Sequence, residues 1–454
     1  MKLITSIIKN IYTRGTELYV HSNLFYIGGS AALLMALSFS FEFLWTISLM
    51  LLALAGLTFL IQFVLLFFTR IKVTAERILP EILSLGENQR IGLKITNESP
   101  LKLNITLTEA LPYQLGIRNS THTLTLLSQS TKEIEYSIRP TARGVYTFGN
   151  NYIFVQTFFP LLERRLTQHC DEKVDVYPSI IQMKKFELYA SKRLSNDEGV
   201  KKTRRLGHGS EFEQIKQYIP GDDPRTINWK ASARTGHIMT NHYQEESSQP
   251  VYQILDTSRS MKMPFNGLTL LDHSINTALA LSNIILKKSD KAGLISFDKH
   301  VNTFLEANNS SYQLKSMLKS LYAQNESSNE ANYELLFYST RKHLTKRSLC
   351  ILYTNFESIY ALQRVMAQLL AISKRHLLLI VIFENTELKD FSKKPAKNLH
   401  DVYDQTLAKK VSREKSLIHA ELDRHGILNI SVTTETLTAD VINKYLEVKS
   451  RGAL

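Results

Sequence analysis

A carboxylate and two hydroxyls follow one apolar run of the chain at a spacing that suits a metal ion. Asp256 ends the run PVYQILD, and Ser258 and Ser260 follow two and four residues later. If that run is a strand of a parallel sheet, these oxygens lie at its carboxyl end, where α/β folds bind ligands. Oxygen-only, partly hydrated coordination suits Mg²⁺. The alternative is structural, with the serines capping the next turn and Asp256 holding it by hydrogen bonds.

A second group of chemically useful residues lies in the segment 209–234, which reads GSEFEQIKQYIPGDDPRTINWKASAR. Pro220 and Gly221 predict a turn that carries two adjacent carboxylates, Asp222 and Asp223. We expect Trp229 to be mostly buried between the flanking domains. Arg225 and Arg234 would then pair with the two carboxylates, because a half-buried cation without a partner is costly.

The same carboxylates also permit a metal-dependent hydrolase, which is the competing functional class. Three histidines lie nearby in sequence: His208, His237 and His242. A hydrolase site needs more converging carboxylates and a general base. His237 and His242 belong to the strand-like run HIMTNHY, which favours a structural role for them. We therefore keep the hydrolase as the alternative and expect no enzyme.

The segment resembles the signature of the bacterial domain of unknown function 58 family. The matching positions are Tyr218, Pro220, Gly221, Asp222, Asp223, Arg225, Ile227, Trp229, Lys230, Ala233 and Arg234. Asn228 departs from the pattern, since the family usually has Asp there. The resemblance implies a membrane-anchored protein with a von Willebrand factor A-like region and no established catalytic activity. It also implies work alongside a MoxR-type AAA+ ATPase in assembling or remodelling protein complexes.

The DxSxS run at Asp256, Ser258 and Ser260 is similar to the metal-ion-dependent adhesion site of von Willebrand factor A domains. There the metal is not catalytic, and its open position accepts a carboxylate from a partner protein. That pattern also uses a later Thr and an Asp after a later strand. Here the stretch 324–333 contains no Thr, although Ser327 or Ser328 offers a hydroxyl, and Asn355 replaces the Asp. The loss of one anion predicts weak Mg²⁺ binding at most.

Composition excludes several classes of function. The net charge of +13 is not accompanied by a nucleic-acid-binding motif, and attraction to anionic lipid head groups explains the basic run 184–205 equally well. Two cysteines, Cys170 and Cys350, form no metal-binding spacing, and Cys350 lies in an apolar run typical of a buried residue. The chain has no Walker loop, so any ATP hydrolysis would belong to a partner.

Residues 24–68 are nearly free of charge, with Glu42 the sole exception. A single membrane span needs about 20 apolar residues, so this stretch predicts two spans, near 24–40 and 44–68, within a hairpin at 24–70. Basic residues flank both ends, which places both ends in the cytoplasm. We expect a multi-pass protein of the bacterial inner membrane, in contact with lipid, whose soluble region is cytoplasmic.

Hydrophobic periodicity divides the remaining chain. After the N-terminal segment 1–23 and the hairpin, short alternating runs over 75–180 predict a β-sandwich. Residues 181–249 form a linker with the signature segment. Over 250–454, apolar runs alternate with helical patterns and predict a von Willebrand factor A-like, Rossmann-type parallel sheet. The predicted function is protein binding with a MoxR-type ATPase and client proteins, through a degenerate adhesion site.

Overall fold

The computed structural model describes residues 17–118, 120–158, 160–197, 206–220, 222–244, 248–391 and 398–451. Within these ranges, the side chains of residues 189–214, 242–247 and 389 are not described. The chain divides into two compact units, Met1–Tyr177 and Pro178–Leu454. Gly221, one of the signature residues, lies outside the described residues.

Two apolar helices precede the β-rich part of the first unit, α1 (Ser22–Leu37) and α2 (Phe43–Phe68). Within the described ranges, α2 is the one helix whose length and composition suit a membrane span, and α1 is apolar but shorter. The two helices touch, since the Ser48 hydroxyl donates to the Ala31 carbonyl at 2.9 Å. The length and composition of α2 thus support one membrane span, and the second span remains a prediction.

The rest of the first unit is built from antiparallel strands whose side chains alternate between buried and exposed. The strands are β1 (Leu18–Val20), β2 (Val73–Ile78), β3 (Ile82–Ser84), β4 (Gln89–Asn97), β5 (Leu103–Glu109), β6 (Thr121–Leu126), β7 (Ser130–Ile138), β8 (Gly144–Phe148), β9 (Asn151–Gln156), β10 (Leu162–Gln168) and β11 (Glu172–Tyr177). They form the sheets β1-β10-β9-β5-β6, β2-β4-β7 and β3-β11-β8, of which only the β3–β11 pairing is parallel. Apolar side chains of the first two sheets share one core. A β-rich region ahead of the α/β part is thus confirmed.

The second unit is organised around one six-stranded sheet. The strands of the whole second unit are β12 (Leu206–Gln217), β13 (Met239–Gln244), β14 (Pro250–Asp256), β15 (Pro264–Phe265), β16 (Leu268–Thr269), β17 (Lys291–Phe297), β18 (Val301–Asn308), β19 (Leu349–Thr354), β20 (Leu377–Phe383) and β21 (Leu428–Val432). The large sheet has the order β18-β17-β14-β19-β20-β21, and only β18 runs antiparallel. Numbered along the chain this is 3-2-1-4-5-6, the doubly wound order. The strand order reverses between β14 and β19, so ligands are expected beside their carboxyl ends.

Helices cover both faces of that sheet, which explains why its central strands are buried throughout. The helices of this unit are α3 (Ile180–Asp197), α4 (Trp229–Thr235), α5 (Leu270–Lys287), α6 (Gln313–Tyr322), α7 (Tyr333–His343), α8 (Ile359–Ser373), α9 (Thr386–Phe391), α10 (Leu399–Arg424) and α11 (Leu437–Ser450). Helices α5, α6 and α11 pack on one face, and α7, α8 and α10 on the other. The predicted α/β fold with a parallel sheet is confirmed at this level. The predicted linker contains α3, whose Met183 and Phe186 pack against the core.

Candidate functional site

The carboxylate of Asp256 ends β14 and is almost fully buried, with 1% of its surface exposed. Its Oδ1 accepts a hydrogen bond from the Ser258 backbone N–H at 2.9 Å. Its Oδ2 accepts from the Thr354 hydroxyl at 2.7 Å and from the Ser260 hydroxyl at 3.4 Å. Burial raises the pKa of Asp256, and the hydrogen bonds from Ser258, Thr354 and Ser260 oppose that rise. Both oxygens of this carboxylate are therefore satisfied by the protein itself.

Thr354, the last residue of β19, is a member of the site that the sequence pattern did not single out. Its oxygen also forms a 2.8 Å hydrogen bond with the phenol of Tyr333, a buried residue at the start of α7. The three side chains make a continuous polar path under the site, from Tyr333 through Thr354 to Asp256. The position of Thr354, directly before the predicted ligand Asn355, was the available signal.

Asn355 contacts the loop of Asp256, but it presents the wrong end of its amide for a metal ion. Its Nδ2 donates to the Ser260 carbonyl at 3.1 Å. Its Oδ1 accepts from the ammonium of Lys415 at 2.5 Å, and the same ammonium donates to the Phe356 carbonyl at 2.8 Å. Burial lowers the pKa of Lys415 to about 8, against a smaller opposing effect of Glu357. Sequence reasoning missed Lys415 because it lies far along the chain, on a helix rich in charged residues.

This donor set does not fit a Mg²⁺ ion well as it stands. Mg²⁺ needs near-octahedral oxygen ligands and is usually held by one or two carboxylates. Asp256 is the sole carboxylate among the predicted ligands, and the amide oxygen of Asn355 already binds a cation. Across the ranges the structure describes, no three His, Cys, Asp or Glu side chains form a group that could hold a metal. The Mg²⁺ site at Asp256, Ser258, Ser260 and Asn355 stays a prediction.

The hydroxyl candidates Ser327 and Ser328 serve the neighbouring loop. The Ser327 backbone N–H donates to the Thr257 carbonyl at 2.8 Å, and its hydroxyl accepts from the Asn329 N–H at 3.1 Å. The Ser328 hydroxyl accepts from the ammonium of Lys262 at 2.9 Å. The loop therefore lies against the DxSxS loop and braces it.

Asp298, directly after β17, organises this bracing loop. Burial would raise its pKa, but hydrogen bonds to its carboxylate outweigh that effect and lower the pKa to about 2. The donors include the His300 N–H at 3.0 Å and the side-chain amides of Asn302 and Asn329, each at 3.2 Å. Because the Arg259 N–H in turn donates to the Asn329 carbonyl at 3.0 Å, Asp298 fixes both loops at the carboxyl edge of the sheet.

The signature segment is a hairpin of β12 and β13 whose tip carries a 3₁₀ turn (Pro224–Thr226) and helix α4. Asp223 caps the turn, since its Oδ1 accepts from the Arg225 N–H at 3.0 Å. Asp222 accepts from the Ile219 N–H at 3.1 Å and lies 3.8 Å from the Lys216 ammonium. The two carboxylates thus shape the turn. Among the residues whose side chains are described, neither Arg225 nor Arg234 pairs with an acid, which corrects that expectation.

The predicted burial of Trp229 is wrong, because 72% of its surface is exposed. Trp229 is the first residue of α4, and polar contacts attach that short helix to the hairpin. Asn228 caps it by accepting from the Ala231 N–H at 3.0 Å, and the Ser232 hydroxyl accepts from the Met239 N–H at 2.8 Å. Asn228 therefore performs the capping that an Asp would provide.

Neither cysteine is placed for nucleophilic chemistry. Cys350 is buried in β19, and burial raises the pKa of its thiol to about 12. Burial likewise raises the pKa of Cys170. His237 is exposed, whereas the side chains of His208 and His242 lie outside the described residues. In the described part of the chain, none of these histidines joins a group of His, Cys, Asp or Glu that could hold a metal ion.

Comparison with known proteins supports the family resemblance. Residues 214–421 match the family described as "Protein of unknown function DUF58". The "Uncharacterized protein YeaD" of Bacillus subtilis (strain 168) is 23% identical over 173 residues, which are 38% of this chain and 40% of that protein. The match thus spans well under two thirds of the relative.

Two solved structures give only distant likeness. The conserved hypothetical protein BatB from Bacteroides thetaiotaomicron covers 44% of this chain and 98% of its own, at 12% identity and a TM-score of 0.28. The CARDB domain of the PF1109 protein from Pyrococcus furiosus covers 23% of this chain and 88% of its own, at 15% identity and a TM-score of 0.19. TM-scores this low carry no inference for this chain.

Proposed function

Because residues 214–421 carry the DUF58 family region, we propose that this chain is a membrane-anchored protein-binding module. It acts by holding other proteins and performs no catalysis itself. The observation that carries this function is the exposure of Trp229 at the tip of the signature hairpin. A large aromatic residue exposed to water has little structural use, whereas it is among the side chains that most often dominate protein interfaces.

The surroundings of Trp229 also suit a protein surface. Arg225 and Lys230 flank it and are exposed. Ile219 and Ile238 lie at neighbouring positions of the hairpin, because the Tyr218 N–H donates to the Ile238 carbonyl at 2.8 Å. Both isoleucine side chains are exposed. Exposed apolar side chains and cations on one hairpin suit an interface that excludes water and attracts an acidic partner.

A von Willebrand factor A-like reading of the second unit gives the module a second contact. The 3-2-1-4-5-6 strand order supports that reading, and at the point of reversal Asp256 ends β14 while Asn355 directly follows β19. We propose that this carboxyl edge is a degenerate adhesion site that receives a side chain of the partner. The hydrolase alternative gains no support from the contacts of Asp222 and Asp223.

We further propose that α1 and α2 form a two-span hairpin in the bacterial inner membrane. Phe59, Leu66 and Phe67 of α2 pack against the core of the β-rich region and Gln62 is buried beside them, which leaves Phe43 to Thr58 for lipid. These residues make a helix of roughly 24 Å at 1.5 Å per residue, somewhat shorter than the hydrocarbon thickness of about 30 Å. The basic flanks of the hairpin favour a cytoplasmic position for the soluble units.

We take the partner from the family resemblance, which implies a MoxR-type AAA+ ATPase and client proteins still to be identified. The ATPase would supply ATP hydrolysis, and this chain would link it to the membrane and to its clients. The division of labour is consistent with the absence of a Walker loop from the sequence.

Affinity purification of the full chain from solubilised membranes tests this function. We expect an AAA+ ATPase to co-purify with the wild-type chain and to be depleted about tenfold or more by Trp229→Ala. Tyr312→Ala is the matched control, because Tyr312 is also an exposed aromatic of the second unit. Equal recovery of the ATPase with Trp229→Ala and wild type would contradict the proposed interface.

A further inference from the structure

We propose that Lys415 takes the place of the divalent cation at the carboxyl edge, so that the site binds a partner carboxylate directly and without metal. The partner in this statement rests on the proposed protein-binding function, whereas the exchange of a metal for a lysine concerns this chain alone. In an adhesion site the metal supplies positive charge to an incoming carboxylate, and here an ammonium lies at the residue that replaces the missing metal ligand.

The orientation of Asn355 is the first step. An amide that coordinates a metal must present its oxygen to the ion. In this structure the Asn355 oxygen accepts from Lys415 Nζ at 2.5 Å, while its nitrogen donates to the Ser260 carbonyl at 3.1 Å. The amide therefore bridges the DxSxS loop and the ammonium. An Asp in its place would still accept from Lys415 but would lose the donor to Ser260, so the amide is the side chain that can join both.

The donors left over on Lys415 are the second step. An ammonium has three N–H donors, and two of them are used by Asn355 and the Phe356 carbonyl. The side chain is only partly exposed. One donor is thus available to a ligand at a position where the charge is poorly screened by water, which strengthens its attraction for a carboxylate.

Preorganisation of Lys415 is the third step. Its helix, α10, is attached to the core by Ala408, Ile418 and Leu422, all buried. The adjacent Glu414 accepts from the Ile359 N–H at 3.1 Å and so joins α10 to the start of α8. The ammonium is held before any ligand arrives, which lowers the entropic cost of binding.

The charges on the neighbouring loops favour an acidic ligand. Glu330 lies between two arginines, with its Oε1 3.4 Å from Arg259 Nη2 and its Oε2 3.9 Å from Arg364 Nη2. Arg259 belongs to the DxSxS loop itself. With Lys415 and with Glu357, the acid whose charge acts on it, three cations accompany two acids here, and the remaining positive charge would add long-range attraction for a negatively charged partner segment.

Calorimetry with Mg²⁺ alone tests the exchange of metal for lysine. We expect no saturable Mg²⁺ binding at millimolar concentrations to the full chain in detergent, and binding to appear in the double variant Lys415→Met, Asn355→Asp. Lys410→Met with Asn355→Asp is the matched control, since Lys410 is an exposed lysine of α10. Saturable Mg²⁺ binding to wild type that Asp256→Asn abolishes would overturn the inference.

Partner capture tests the carboxylate-binding role. We expect recovery of the ATPase to be unaffected by EDTA, to fall about tenfold with Lys415→Met and to be largely retained with Lys415→Arg. Melting temperature of each variant separates lost binding from lost folding. Two results would overturn the inference and leave the proposed function intact. The first is that EDTA abolishes capture of the ATPase. The second is that a folded Lys415→Met variant still captures the ATPase while Trp229→Ala does not. Failure of every variant and of wild type to capture an ATPase contradicts the proposed function, and the Mg²⁺ titration still decides the inference.

Discussion

The side-chain oxygen of Gln62, in the apolar helix α2, accepts hydrogen bonds from the backbone N–H groups of Leu161 at 2.9 Å and Leu162 at 3.1 Å. The Leu161 carbonyl accepts from the His21 N–H at 2.9 Å, directly before α1. One short stretch of chain at the start of β10 therefore holds the bases of both apolar helices. The two apolar helices and the β-rich region are joined by these backbone and side-chain hydrogen bonds.

This relationship predicts that Gln62→Leu destabilises the first unit. The substitution leaves two buried N–H groups without their acceptor, at a cost of about 1–3 kcal/mol. Thermal unfolding of the purified chain in detergent should show a lower transition temperature. Thr58→Val is the control, because the Thr58 hydroxyl bonds only carbonyls of its own helix. Identical melting of the two variants would show that the Gln62 contact adds nothing.

A buried ion pair in the β-rich region gives a second prediction. Arg77 Nε lies 2.8 Å from Glu109 Oε2, and both side chains are fully shielded from water. Glu109→Gln leaves the guanidinium without its main counter-ion and should cost about 3–5 kcal/mol. Lys72→Met, which breaks the exposed pair of Lys72 with Glu98, should cost under about 1 kcal/mol. Chemical denaturation measures the free energy of unfolding of each variant. Similar losses of stability in Glu109→Gln and Lys72→Met would contradict a structural role for the buried pair of Arg77 and Glu109.

The depressed pKa of Asp298 predicts a pH dependence of stability. Its folded pKa of about 2 lies below the value expected in the unfolded chain, so the ionised carboxylate stabilises the fold. That contribution of about 2 kcal/mol is fully present above about pH 4 and is lost as the pH falls toward 2. Asp298→Asn should lower stability at neutral pH and flatten the unfolding free energy between pH 5 and pH 2. An unaltered acid profile would exclude this role.

Membrane topology can be tested with reporters fused after Leu454. Basic flanks on both sides of the apolar stretch predict a hairpin with the soluble units in the cytoplasm. A fluorescent protein at that position should be bright, and alkaline phosphatase should be inactive. High phosphatase activity would show that the number of spans or the orientation is wrong.

The sheet was predictable because each of its parallel strands is a mostly apolar run between turns. The runs PVYQILD, KAGLISF, SLCILYT, HLLLIVIF and GILNISV contain β14, β17, β19, β20 and β21. Strand β18 was missed, since it is an antiparallel edge strand and few of its side chains are buried. A strand buried on both faces of a sheet can be recognised from its apolar composition, whereas a partly exposed edge strand lacks that composition.

The candidate site was predictable in part, for a physical reason. Asp256, Ser260 and Asn355 follow strands that the pattern identified, so their proximity follows from the parallel sheet. Lys415 comes from a helix about 60 residues later, and only the packing of α10 brings its ammonium to Asn355. Trp229 was expected to be buried because its segment lies between the two predicted domains. Polar capping of α4 holds the segment instead, and the sequence analysis did not predict that contact.

Photo-crosslinking from position 229 tests the central claim of a protein-binding surface most directly. A photoreactive phenylalanine analogue replaces Trp229 in the full chain, and a matched sample carries it at Tyr312. The account predicts that illumination of intact membranes joins position 229, and not position 312, to one discrete protein, an AAA+ ATPase. Crosslinks to lipid alone, or the same products from both positions, would contradict it.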